Sequence, residues 1–79
     1  MDQTEEFPDE LYVLLQPGCS IRLLHGDGST LKLLHIRAIV DQDQLVTREW
    51  WYHHKRWNYE IESIWIFELW WKNGRLKKA

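Results

Sequence analysis

Residues 57–62 alternate without a break, with Trp57, Tyr59 and Ile61 on one side and Asn58, Glu60 and Glu62 on the other. A period of two marks a strand with one apolar and one polar face, and a helix cannot sort such a run that way. The runs before it are short, apolar and separated by turn chemistry. Leu11–Leu15, Ile21–His25, Leu31–Val40 and Leu45–Tyr52 read as four further strands. Between them lie Gln16-Pro17-Gly18, Gly26-Asp27-Gly28-Ser29, Asp41-Gln42-Asp43-Gln44 and His53-His54-Lys55-Arg56, built from residues that preset or tolerate turn conformations.

Pairing these runs in order gives a mainly β chain: a strongly bent five-stranded antiparallel meander, with closure into a small SH3-like barrel as one form of it. Residues 63–73 admit two readings. Ser63 can cap a helix that carries Phe67, Trp70 and Trp71 at i, i+3 and i+4, with Gly74 as its stop and Lys72 near its negative end. The alternative is a sixth strand closed by an Asn73-Gly74 hairpin turn. Glu68 breaks the apolar alternation, which favours a short C-terminal helix.

Cross-strand arithmetic then assigns faces. With Tyr52 opposite Trp57, Trp50 faces Tyr59 and Arg48 faces Ile61; Val46, Ile36, Ala38 and Val40 continue an aromatic-rich inner wall. The outer face reads His35, Arg37 and Ile39, then Thr47, Glu49 and Trp51, then Asn58 and Glu60. A slip of one residue would invert these faces. Only about 60% of the unfolded surface leaves water in so small a domain, and large rings fill a thin core efficiently. Six Trp among 79 residues are thereby expected to be mostly core.

The net charge of −2 conceals a gradient, since the first ten residues hold five acids and no base. Residues 1–10 read as an acidic flexible arm, 11–76 as a single β-rich domain and 77–79 as a basic tail. Terminal charge runs are commonly solvated; the sharper reading is an acidic arm laid over a basic surface. No apolar run of about 18 residues is present, so no membrane span is expected. One cysteine, Cys19, cannot form an internal disulfide, which fits a reducing cytoplasm.

Four His and one Cys lack the paired spacing of a structural zinc site, and no metal or other cofactor is expected. Neither Cys19 near His25 nor Glu49 near Glu60 forms a shielded catalytic pair; the glycines of the 26–29 turn do not match a phosphate loop. The chain therefore reads as a non-enzyme with no small-molecule substrate. What remains is recognition. Residues 48–57 interleave four aromatic rings with cations, as interfaces and single-strand binders both do. The expected partner-binding set is outward Trp51 with His35, Arg37 and Asn58 around it, and His53, His54, Lys55 and Arg56 at the hairpin tip. A protein partner or a homodimer leads; nucleic acid at the tip is the alternative, and a self-associating structural subunit a third.

The run His35-Ile36-Arg37-Ala38-Ile39-Val40-Asp41, the Trp-rich hairpin ending in Trp57-Asn58-Tyr59-Glu60, and Phe67-Glu68-Leu69 together resemble small uncharacterised proteins carried by bacteriophages and prophages. The resemblance covers about residues 31–74 and specifies a fold pattern, so no site residue carries over from it. It implies a small accessory protein that binds, inhibits or modulates a host or phage macromolecule.

Overall fold

The computed structural model of the chain describes residues 9–79. The acidic arm lies outside them over residues 1–8, and its last two residues belong to a helix. Helix α1, Asp9–Leu14, opens with Asp9 and Glu10 at its positive end, where carboxylates are favoured. Leu11 and Leu15 are fully buried while Val13 between them is 64% exposed. That spacing of four is helical; a strand would have put all three on one face. Leu11–Leu15 is thus a helical turn and not the first strand, because a short continuous apolar run carries no period of its own. Pro17 and Gly18, the latter at φ 94°, end it.

Strands β1 (Ser20–Leu24), β2 (Thr30–Val40), β3 (Gln44–Trp51) and β4 (Arg56–Ser63) follow as a meander. Then come α2 (Ile64–Lys72) and a final strand β5 (Leu76–Lys78). All pairings are antiparallel and the sheet order is β4-β3-β2-β1-β5. The mainly β class with five antiparallel strands stands, but the fifth strand comes from the C-terminus and not from residues 11–15. The sheet stays open with β4 and β5 as its edges, so it does not close as an SH3-like barrel. Lys77 and Lys78, read as tail, pair with Arg22 and Ile21 of β1.

Helix α2 forms as its sequence signals require. The Ser63 hydroxyl accepts from the Trp65 amide, and the Asn73 amide returns to the Leu69 carbonyl. Gly74 at φ 74° turns the chain so that the Arg75 amide reaches the Trp70 carbonyl at 2.9 Å, a left-handed stop that only glycine adopts cheaply. Phe67 is buried, with Trp70 and Trp71 packed beside it.

Both helices cover the same side of the sheet. Leu11 and Leu15 of α1, and Ile64 and Phe67 of α2, form one core with Ile21, Leu23, Leu34, Ile36, Leu45 and Leu76. This core is aliphatic apart from Phe67. The register explains why. β2 pairs His35 with Arg48 and Ile36 with Thr47, then slips, so that Ala38 pairs with Val46 and Ile39 with Leu45. Arg37 sits in this bulge, where an extra residue inverts the alternation of a strand. Ile36 and Ile39 therefore share the core side, and Ala38 and Val40 do not share it with Ile36. No described helix is long and apolar enough to cross a membrane.

Candidate interaction surface

The β3–β4 hairpin fixes the second face. Val46 pairs with Ile61, Arg48 with Tyr59 and Trp50 with Trp57. Directly opposed residues point to the same side, so these six side chains lie together, two residues out of the register expected from the sequence. They occupy the side away from both helices. Trp50 and Trp57 are each 37% exposed, Tyr59 54% and Ile61 62%. The aromatic wall expected to be inner is the open face; Thr47, expected outside, is buried among the leucines.

Arg48 organises this face. Its guanidinium carbon lies 3.8 Å from the centroid of the Trp57 ring, within the range of a cation–π contact, and Nη1 donates to the Tyr59 hydroxyl at 3.1 Å. Trp50 meets Trp57 edge to face at 5.2 Å, and His35 meets the other end of the cluster, 5.6 Å from Trp57. The His35 ring is itself fixed by a 2.7 Å hydrogen bond between Nδ1 and the Ser20 hydroxyl. The rings are thus held in place by contacts within the chain itself.

Beside the cluster the sheet splits. β2 and β3 pair from Val40–Gln44 only as far as His35–Arg48; beyond that point Thr30–Leu34 follows β1 and Glu49–Trp51 follows β4. The divergence leaves a groove of about 490 Å³ between Leu31, Leu33, His35, Trp50, Tyr52 and Trp57. Lys32 and Glu49 also line it and form an ion pair at 3.6 Å. No Asp or Glu among the described strand residues shares a face with Trp50 and Trp57, whereas Arg22, Arg48 and Lys77 do. Glu49, Glu60 and Glu62 alternate to the opposite side of the hairpin, and of these Glu49 reaches the groove, where it pairs with Lys32.

The residues expected to bind a partner divide between these regions. Trp51 is half-buried on the Glu49 side of β3, not the outward centre of a surface. Asn58 is near it in pairing, opposite Glu49, and donates to Glu60 at 3.3 Å. His35 belongs to the open aromatic face, and Arg37 is exposed at the bulge, so neither surrounds Trp51. The hairpin tip does assemble as a cluster. Trp51 lies 5.3 Å from the His54 ring and 5.6 Å from the Arg56 guanidinium, with His53 and Lys55 exposed in the turn.

The sequence does not mark Trp50, Trp57, Tyr59, Arg48, Ile61, Leu31 and Leu33 as surface, because its alternation points the rings to a core. One signal was available. Ile21, Leu23, Leu34, Ile36 and Leu45 already supply Leu and Ile at alternate strand positions, an aliphatic wall that competes with the rings for the inner face. The chain matches no known protein family, no curated protein and no solved structure.

Proposed function

We propose that the protein is a non-enzymatic binding module whose working surface is the open face of β2, β3 and β4, and that its partner is another protein. The observation that carries this reading is the pre-ordered cluster of Trp50, Trp57, Tyr59 and Arg48, left uncovered beside an apolar groove. Trp, Tyr and Arg contribute disproportionately to interface energy, and carboxylates are depleted at interface centres. A partner that fits offers an apolar ridge for the groove between Leu33 and Trp50, with acids around it to meet Arg22, Arg48 and Lys77. An accessory protein that blocks or modulates a larger macromolecule needs only such a surface.

A second reading has its own support: Arg22, Arg48 and Lys77, on the same side as the stacking rings, also suit a single-stranded nucleic acid. Salt separates the two. Capture from lysate on immobilised protein, followed by elution in rising salt, is expected to leave a protein partner bound at about 0.5 M, where a contact dominated by phosphates has lost most of its affinity. Leu33→Ser and Trp50→Ala are expected to abolish capture while Trp51→Ala retains it. Equal capture by all three variants would remove the open face from the account.

A further inference from the structure

The two edges of the sheet are built differently. β5 has three residues, of which Lys77 and Lys78 are exposed, and short lysine-bearing edges resist addition of another strand. β4 has eight residues, Arg56–Ser63, and contains no Pro, Gly or Lys. It pairs with β3 over its whole length without a bulge. Among the described residues β3 is its sole strand neighbour, so its outer row of backbone groups is a template for a further strand.

The side chains of β4 indicate which strand. Two copies related by a two-fold axis perpendicular to the sheet must pair about a residue of the strand itself. Centred on Tyr59, the pairs are Tyr59 with Tyr59, Trp57 with the partner's Ile61, Asn58 with the partner's Glu60, and Arg56 with the partner's Glu62. Every apolar residue meets an apolar one on the open side, and on the other side both ends of the strand place opposite charges face to face. Centring on Glu60 would oppose Glu60 to itself. Centring on Asn58 would bring Ile61 against Lys55 of the turn. The pattern selects one register, as cross-strand pairs do within a sheet.

We propose that two copies of this chain join β4 to β4 in that register, giving a continuous ten-stranded sheet. The pairing does not depend on what the open face binds. It leaves that face uncovered and sets the Trp57, Tyr59 and Ile61 rows of both copies side by side, so that the dimer presents one enlarged aromatic platform. A strand added by an unrelated protein would use the same edge but would not require β4 to complement itself.

Sedimentation equilibrium over about 1 µM to 1 mM tests the register by charge exchange. The wild type is expected to form a reversible dimer. Arg56→Glu and Glu62→Arg, both at solvent-accessible positions, each put two like-charged pairs into the symmetric interface and are expected to weaken it about tenfold. The double variant re-creates both pairs in reverse and is expected to return to within about threefold of the wild type. The 5.6 Å contact of Arg56 with Trp51 is lost in the double variant too, so it cannot produce the recovery. Far-ultraviolet circular dichroism confirms that each variant is folded. A monomer throughout the range, a dimer indifferent to both reversals, or a double variant no better than the singles would overturn the proposal.

Discussion

On one side of the sheet, Ile21, Leu34, Ile36 and Leu45 are sealed beneath two helices; on the other, Trp50, Trp57, Tyr59 and Ile61 stand open around Arg48. The covered side holds compact branched side chains that interdigitate with Leu11, Leu15 and Phe67. The open side holds large rings that touch at their edges and faces, tied by a guanidinium and a phenol hydroxyl. The difference separates two ways of ordering side chains. Exclusion of water orders the first set, and directional contacts between rings and a cation order the second. In a domain of this size a face can therefore be well ordered without being core.

That contrast is open to attack at several points. Phe67→Ala removes the largest fully buried side chain of the sealed side, packed edge to face on Trp70 as well as against aliphatic neighbours; a loss of about 3–5 kcal/mol is expected in urea unfolding, a large share of a small domain's stability. Trp57→Ala deletes a larger side chain from the open side, yet its cost is expected to be only about 1–2 kcal/mol, from the contacts with Arg48, Trp50 and His35. If Trp57→Ala proved as costly as Phe67→Ala, the two faces would not differ as described.

Ser63→Ala acts where the open strand β4 passes into the covering helix. It removes the acceptor for the Trp65 amide at 3.3 Å, and a loss of about 1 kcal/mol is expected by the same unfolding measurement. A variant as stable as the wild type would show that α2 is held by its packing alone. The smallest effect belongs to the turn between β1 and β2. There the Ser29 hydroxyl, and then the Ser29 amide, donate to the Asp27 carboxylate and hold its pKa below the ordinary 3.8. A lowered pKa means the turn is favoured above that value and loses this support as the pH falls through the lowered pKa. Carboxyl-carbon NMR should show Asp27 titrating below 3.8; a midpoint at or above it would mean that these hydrogen bonds do not form.

The sequence was most legible where local chemistry decides. The turns after Leu24 and Val40 and both ends of α2 follow from residue types whose conformations are narrow, whereas the hairpin turn expected at 53–56 lies one residue earlier, at 52–55, in a Tyr-His-His-Lys run that carries no such preference. Strand existence over 57–62 followed from strict alternation. What alternation cannot give is which face is inward, since the period is the same for either side. The rings suggested one answer and the bulge at Arg37 imposed the other, because a single unpaired residue in β2 moves Ile36 to the side of Leu45. Leu11–Leu15 and Leu76–Lys78 were missed for a related reason: five consecutive apolar residues show no period, and a three-residue strand gains its identity from its pairing with β1. The candidate surface inherited the inversion. The sequence points to Trp51 as its centre, whereas its immediate neighbour Trp50 belongs to the open cluster.

Hydroxyl-radical footprinting with residue-resolved mass spectrometry reads the exposure of each ring separately, and it bears most directly on the claim that the aromatic face is open. Trp57, Tyr59 and Trp50 are expected to oxidise rapidly while Phe67 stays protected until the domain unfolds. Protection of Trp57 and Tyr59 to the level of Phe67, with Trp51 reacting fastest, would return the rings to the interior and contradict the account.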